Sequence, residues 1–193
     1  MSEPALIAYV DVRHATDVRA IYEASFTESV RAPWDSIAHH RDDEELLVLT
    51  DPSPVGFALI RHLGDTSFTF VRYLAIDATQ RSSGYGAALV DALARHLVAQ
   101  GRTALLLDVE DPMAHPGGGE DDRRRIAFYE RHGLSLLPVP DYAPPEHGTT
   151  GEIVPLLIMG MPLGHGVPIE GAHLEACVAA VYLHRYGVTG PGI

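Results

Sequence analysis

The spacing of apolar residues over the first 76 positions predicts one strand, then two helices, then three strands. Val18, Tyr22 and Phe26 recur at helical spacing and indicate an amphipathic helix. Short apolar runs bounded by turn residues predict strands, and Pro33 separates the first helix from a second, short one. The predicted elements are a strand over 5–10, helices over 14–30 and 34–40, and strands over 46–50, 55–63 and 66–76. The last three strands follow one another through short turns, which indicates an antiparallel meander.

A longer helix and a buried strand are predicted next. Leu89, Leu93 and Leu97 share one face of a helix that opens near Gly84 and ends at Gly101. The stretch 103–109 is almost continuously apolar, as in a strand that is buried on both faces.

For residues 110–193, the sequence predicts one helix, two closing strands and a helical tail. Asp121 or Asp122 is expected to cap a helix that runs to His132, with Gly133 after it. Strands are expected over 134–137 and 153–159, around a loop, and a helix within 168–186. The length of 193 residues suits one α/β (α+β) domain over 1–163, with a helical extension over 164–193 packing on it.

Composition narrows the classes of function. The chain has a formal net charge of −12, and all 14 of its basic residues are Arg. A phosphate-loop lysine and a Schiff-base lysine are therefore excluded, and binding to nucleic acid is not expected. Such a surface favours cationic partners such as amines, although a charge of this size also serves solubility.

The single Cys177 permits no internal disulfide and no Cys-rich zinc site. The eleven His show no metal-ligand spacing, so no metal is expected. Neither a signal peptide nor a run long enough to cross a membrane is visible, and we expect a cytoplasmic protein without membrane contact.

The most informative segment is the glycine-containing loop between the strand over 66–76 and the next helix. Gly84 and Gly86 open that helix, where unpaired backbone N–H groups and the helix dipole favour an anion without any lysine. Arg81 can add charge-assisted contacts. A Walker loop is excluded by the missing lysine, and the dinucleotide fingerprint by Leu89 where it needs a third glycine. The alternative is an ordinary glycine-capped turn.

This loop, Arg81-Ser-Ser-Gly84-Tyr-Gly86, resembles the Arg/Gln-x-x-Gly-x-Gly/Ala signature of the GNAT superfamily of N-acetyltransferases. The resemblance implies that the loop holds the pyrophosphate of acetyl-CoA, the co-substrate. The residues expected to bind it are Arg81, Ser82, Ser83, Gly84, Tyr85, Gly86 and Ala87.

A second stretch, from Asp122 to Leu134, is similar to the later GNAT motif Asn-x-x-Ala-x-x-Leu-Tyr-x-x-x-Gly-Phe. Tyr129 and Gly133 match it, while Asp122 and Arg125 replace the Asn and Ala; Asp122 therefore takes the place of a usual CoA contact. The order of elements also matches from position 5 to 159, about four fifths of the chain. The resemblance implies a GNAT-like mixed, mostly antiparallel central sheet flanked by helices, with an extra C-terminal helix.

The mechanism implied by the resemblance is direct attack of an amine on the thioester. Tyr129 would protonate the leaving thiolate as general acid, unless it is simply a core tyrosine with a bonded hydroxyl. A backbone N–H of Leu74, Ala75 or Ile76 would polarise the carbonyl oxygen. The side chains of Leu74 and Ile76 are expected to be core residues.

The sequence does not single out the residue that would act as general base. Many members of the family carry a Glu on the strand before the loop, where this chain has Arg72 and Tyr73. Asp108 and Glu110 alternate onto one side of their strand and are candidates to accept a proton or bind an amine, or else a solvated strand end. The loop residues His115 and His147 have suitable pKa values but sit where surface His is common.

Several roles have two interpretations. Arg123, Arg124 and Arg125 could grip the 3′-phosphate of CoA or form a solvated helix face paired with residues 120–122. Asp141 and Glu146, like the two strand carboxylates, suit a small cationic amine acceptor. The tail helix could cover the acceptor cleft or form the seam of a homodimer.

The leading hypothesis is transfer of an acetyl or short acyl group from acetyl-CoA to such an amine. A CoA-binding sensor or scaffold without catalysis is the alternative from another class. An acyltransferase fed by a carrier protein or aminoacyl-tRNA would need a basic docking face, which the composition disfavours.

Overall fold

The computed structural model describes residues 4–8, 15–28, 30–114, 119–140, 142–145 and 155–189. Four sequence candidates, His115, Asp141, Glu146 and His147, lie outside these described residues.

The described residues form seven strands and five helices. The strands are β1 (Ala5–Ala8), β2 (Glu44–Thr50), β3 (Pro54–His62), β4 (Phe68–Ile76), β5 (Ala104–Glu110), β6 (Ser135–Leu136) and β7 (Leu156–Pro162). The helices are α1 (Ala15–Ser25), α2 (Trp34–Ala38), α3 (Tyr85–Ala99), α4 (Glu120–Arg131) and α5 (Gly171–Ala180). A 3₁₀ turn (Ala78–Gln80) precedes α3, and a π-helical turn (Val181–Tyr186) continues α5.

The strands form one mixed sheet in the order β1-β2-β3-β4-β5-β7-β6, with helices against it. The neighbours β1 and β2, β2 and β3, β5 and β7, and β6 and β7 are antiparallel. The predicted fold class is therefore confirmed. Within the described residues, no helix is both long and apolar enough to cross a membrane.

The predicted cap of α4 is wrong. The residue before the helix is Gly119, in the left-handed region with φ of 48°, and no side chain caps the helix there. A Cβ atom at Gly119 would lie 2.7 Å from the Cα of Pro112, so the close approach of these segments requires glycine. Asp121 and Asp122 instead occupy the first turn, where their charge complements the helix dipole.

By contact, the chain divides into two compact units, and the first comprises Met1–Arg61, Val71–His96 and His147–Glu152. Its core joins α1 and α2 to strands β2 to β4 through residues such as Tyr22, Phe57 and Tyr73. The Tyr73 hydroxyl donates to the carbonyl of Val30 at 2.9 Å and accepts from the N–H of Ala32 at 3.1 Å. These two bonds tie the segment after α1 to β4.

The second unit comprises His62–Phe70, Leu97–Glu146 and Ile153–Ile193. Its core packs α5 and the π-helical turn against the strand residues Phe70, Leu106 and Ile158. Cys177 is buried there as a free thiol. Burial raises the pKa of that thiol to about 12, so Cys177 acts as a small apolar residue.

The first unit contains a buried ion cluster across three strands. The Glu44 carboxylate accepts from the Arg61 guanidinium at 2.8 Å and from that of Arg72 at 2.7 Å. None of the Glu44 side chain is exposed, and only 9% of each Arg side chain is. The strand β2 begins at Glu44, two residues before the predicted start, because this carboxylate pairs with the arginine opposite it on β3.

We expect Glu44→Gln to lower the free energy of unfolding by about 3 kcal/mol, because buried guanidiniums lose their carboxylate. The matched control is Asp43→Asn, which removes an exposed ion pair with Arg41 and should cost less than about 1 kcal/mol. Urea denaturation of the three proteins measures both changes. Equal losses in the two variants would contradict the assignment.

Candidate active site

The N-terminal end of α3 leaves backbone N–H groups without helical partners. The first bond of the helix runs from the N–H of Ala88 to the carbonyl of Gly84 at 3.1 Å, so the helix offers no acceptor to Tyr85, Gly86 or Ala87. Gly84 has a φ of 87°, and a Cβ atom built on it would meet no heavy atom within 4 Å. Among the described residues, the space beside Gly84 is therefore open next to the amides that lack a helical partner, and an anion site requires such amides.

The loop that leads to this turn is held by Asp77. Its carboxylate accepts from the N–H of Thr79 at 2.7 Å and from the hydroxyl of the same residue at 2.5 Å. These hydrogen bonds lower the pKa of Asp77. Arg81, Ser82 and Ser83 are exposed just before Gly84. Among the described residues, the Arg81 guanidinium makes only long contacts of 3.4 Å, with the carbonyl of Ile76 and the hydroxyl of Ser25. Its charge is available to an anion.

Tyr85 fixes the start of α3 from its side chain. Its hydroxyl donates to the Asp51 carboxylate at 2.8 Å, and this bond raises the pKa of Tyr85. Because the hydroxyl is already used, the part of Tyr85 left for a ligand at the turn is its backbone N–H.

The expectation for two side chains of β4 is wrong. Leu74 and Ile76 were expected to be core residues but are only partly buried. Tyr73 and Ala75, which alternate with them along the strand, are buried in the core. The alternation of a strand places the two pairs on opposite faces, and the helices α1 and α2 cover only the face with Tyr73 and Ala75. The proposed backbone role of Leu74, Ala75 and Ile76 is unaffected by this correction and stays a prediction.

Tyr129 lies on the buried side of α4. The residue is 7% exposed, and burial raises the pKa of its hydroxyl to about 12. Among the described residues, no hydrogen-bond partner of this hydroxyl is present, unlike the core tyrosines Tyr22 and Tyr73. The described residues therefore give no support to the alternative that Tyr129 is simply a core tyrosine with a hydrogen-bonded hydroxyl.

The charged residues of α4 pair largely with one another. Arg124 contacts Glu120 and Asp121, as a solvated helix face would. Arg125 lies 3.6 Å from the buried Asp122 and 4.0 Å from Glu110 on β5. For Arg124 and Arg125 the ion-pair interpretation is thus the one the structure favours, while a contact between Asp122 and CoA stays a prediction.

Asp108 on β5 is partly buried and accepts two tyrosine hydroxyls. Tyr142 donates to Oδ1 at 2.6 Å, and Tyr186 donates to Oδ2. Burial raises the pKa of Asp108 to about 6, and the two hydroxyls and the nearby Arg185 oppose this shift. The alternative of a solvated strand end does not hold for Asp108, because each oxygen of its carboxylate accepts a hydrogen bond from a tyrosine hydroxyl.

The family comparison covers the loop, β5 and α4 together. The model of the acetyltransferase (GNAT) family matches residues 15–134, more than half of the chain. The chain belongs to the GNAT acetyltransferase family. No curated protein sequence gives a significant match.

Solved structures share the GNAT fold at low identity. A candidate GNAT acetyltransferase from Bacteroides thetaiotaomicron is 22% identical, with a TM-score of 0.76 over 96% of this chain and 99% of that one. The ribosomal-protein-S18-alanine N-acetyltransferase from Escherichia coli is 19% identical, with a TM-score of 0.60 over 86% and 99%. A candidate acyl-CoA N-acyltransferase from Klebsiella pneumoniae is 17% identical, with a TM-score of 0.55 over 83% and 98%. At these identities the structures show the fold.

The GNAT match ends at residue 134, and sequence reasoning missed the two partners of Asp108 beyond it. A signal for Tyr186 existed, since it lies within the predicted helix over 168–186, four positions after Tyr182. Tyr142 stands in a loop without periodicity. Among the described residues, no group of three or more His, Cys, Asp or Glu could hold a metal ion.

The raised pKa of Asp108 predicts a pH dependence of stability. The folded protein binds this proton more tightly than the unfolded chain, whose Asp has a pKa of 3.8, so the contribution of Asp108 to stability falls as the pH rises from about 4 to about 6. We expect the unfolding free energy of the wild type to fall relative to Asp108→Asn over that window and to run parallel above it. Urea denaturation at four pH values measures the difference; a difference that is constant from pH 4 to 7 would contradict the shift.

Proposed function

We propose that this GNAT protein transfers an acetyl or other short acyl group from acetyl-CoA to a primary amine of a small acceptor. The observation that carries the proposal is the start of α3, where the amides of Tyr85, Gly86 and Ala87 have no helical partner and the space beside Gly84 is open. The match of residues 15–134 to the acetyltransferase family supports it.

In this proposal the pyrophosphate of acetyl-CoA binds at the N-terminal end of α3. The amides of residues 85–87 donate to its oxygens, and the positive end of the helix dipole favours its charge. Arg81 and the hydroxyls of Ser82 and Ser83 are exposed beside the turn and add donors. Because the chain has no lysine, main-chain N–H groups and arginine carry this role.

The proposed chemistry is a direct displacement at the thioester. The amine nitrogen forms a bond to the carbonyl carbon, the carbon–sulfur bond breaks, and the sulfur takes a proton from Tyr129. A tyrosine with a pKa of about 12 stays protonated at neutral pH, as a general acid must be. A backbone N–H of Leu74, Ala75 or Ile76 stabilises the charge that develops on the carbonyl oxygen.

The proposed acceptor is a small cationic amine. The net charge of −12 attracts cations at long range, and β5 carries the carboxylates of Asp108 and Glu110. One of them accepts the proton that the amine must lose. Glu110 lies 4.0 Å from the Arg125 guanidinium, whereas the Asp108 carboxylate accepts hydrogen bonds from two neutral hydroxyls.

The test of the function is consumption of acetyl-CoA with a panel of primary amines of different charge, followed by the release of free thiol. Turnover with at least one amine supports the proposal. Saturable binding of acetyl-CoA with no turnover for any amine would instead favour the CoA-binding sensor, and absence of binding would refute both.

The loop assignment predicts that Gly84→Glu abolishes binding of acetyl-CoA. The substitution places bulk and negative charge in front of the amides, and we expect the affinity to fall by at least about 100-fold. The matched control is Gly101→Glu at the other end of α3, which adds the same side chain and charge at a second glycine with positive φ, 75°, and open space around it. Calorimetry measures both variants; equal affinities would contradict the loop site.

The acid assignment predicts that Tyr129→Phe lowers kcat by about 100-fold or more and leaves the affinity for acetyl-CoA unchanged. Its hydroxyl has no partner among the described residues, so the free energy of unfolding should change little. Steady-state kinetics, calorimetry and urea denaturation separate the three effects. Unchanged kcat at saturation would assign the proton to water or another group.

A further inference from the structure

The carboxylate of Asp108 lies where three segments of the second unit meet. Asp108 belongs to β5, Tyr142 to the loop after β6, and Tyr186 to the π-helical turn at the end of the extension. Each tyrosine hydroxyl donates to a different oxygen of the carboxylate. One donor on each oxygen fixes the orientation of the carboxylate and leaves further lone pairs on both oxygens.

The geometry of the C-terminal extension places Tyr186 beside the carboxylate of Asp108. The helix α5 is regular up to Ala180 and then changes to π-helical geometry over Val181–Tyr186. A π-helical turn adds a residue per turn and so rotates the later side chains relative to an α-helix, which is why such turns often mark functional positions. The left-handed Gly187, with φ of 71°, ends the turn directly after Tyr186.

Aromatic and cationic contacts hold Tyr186 in place. Its ring packs edge-on against Phe70 of β4 at 6.4 Å, and the Arg185 guanidinium lies 4.8 Å from the centre of the Tyr186 ring. The ring of Tyr186 is therefore constrained, and this constraint keeps its hydroxyl directed at the carboxylate of Asp108.

We infer that Tyr186 is a positioning residue for the proposed acyl transfer: through its hydroxyl, the C-terminal extension holds Asp108 as the acceptor of the proton that the amine loses. The inference rests on the proposed function. In the step, a nitrogen–hydrogen bond of the ammonium breaks, its electron pair stays on nitrogen, and the proton forms a bond to a carboxylate oxygen of Asp108. The resulting carboxyl group is neutral and can donate to a tyrosine oxygen.

The electrostatics of the cluster agree with this role. The groups that face Asp108 are the hydroxyls of Tyr142 and Tyr186 and the charge of Arg185, all of which lower its pKa, and burial raises it to about 6. The carboxylate is thus ionised at neutral pH yet more basic than an ordinary Asp, as a proton acceptor for that pH should be. Removing one donor should raise its pKa further.

The experiment compares Tyr186→Phe with Tyr182→Phe. Tyr182 lies one turn earlier in the same π-helical segment, and its hydroxyl accepts from the N–H of Ala143, whereas the hydrogen bonds of Asp108 within the described residues come from Tyr142 and Tyr186. The variants remove the same atom from the same segment, so a general loosening of the extension affects both. Tyr142→Phe, which removes the other donor, is the second test variant if Tyr186→Phe does not fold.

The readouts are the carbon-13 chemical shift of the Asp108 carboxyl as a function of pH, assigned with Asp108→Asn, and the pH profile of kcat/KM. We expect Tyr186→Phe to move the Asp108 titration and the acid limb of kcat/KM upward together, by about half a pH unit or more. Tyr182→Phe should move neither.

The inference would be overturned if the acid limbs of kcat/KM coincide in the wild type, Tyr186→Phe and Tyr182→Phe. It would also be overturned if Tyr186→Phe moves the titration of Asp108 but leaves the acid limb of kcat/KM in place. Both results require an active wild type. A wild type that turns over no amine overturns the proposed function instead, so the two failures are distinguishable.

Discussion

The buried carboxylate of Glu44 constrains the strands on which the candidate site depends. It balances two buried guanidiniums, one on β3 and one on β4, so the register of these strands cannot slip by a residue without moving charges to the wrong face. The strand β4 leads directly through the turn held by Asp77 to the start of α3. The register set by Glu44 therefore also sets where the amides of residues 74–76 and of the loop are presented.

In the proposed function, an acidic chain without lysine binds a polyanionic coenzyme through local contacts. At long range, the net charge of −12 repels the phosphates of CoA. At close range, the unpaired amides at the start of α3 and the exposed Arg81 offset that repulsion, because short hydrogen bonds are little screened. The same net charge attracts cationic amines. In the proposed reaction, the net charge of the protein therefore favours binding of the amine, whereas the local backbone amides favour binding of acetyl-CoA.

Much of the fold followed from local patterns, while the site depended on contacts that patterns do not encode. The apolar period located the helices and strands, and the glycines located the loop. The cap of α4 was misplaced because the choice of Gly119 depends on its approach to Pro112, and Leu74 and Ile76 were misassigned because strand alternation does not say which face a helix covers. Tyr186 and Asp108 form a hydrogen bond although they are 78 positions apart in the sequence, and local periodicity cannot predict a contact at that separation.

In the proposed reaction, the basicity of Asp108 depends on the C-terminal extension, which contributes Tyr186. A primary amine is an ammonium ion at neutral pH and must lose a proton before it attacks a thioester. A carboxylate with the ordinary pKa of 3.8 is a weak base for that step, whereas a deeply buried one without donors would be protonated already and accept nothing. Burial raises the pKa of Asp108 above the ordinary value, and the hydroxyls of Tyr142 and Tyr186 limit this rise. Both hydroxyls lie beyond the family match that ends at residue 134, so in the proposed reaction the basicity of Asp108 depends on a part of the chain that the family model does not cover.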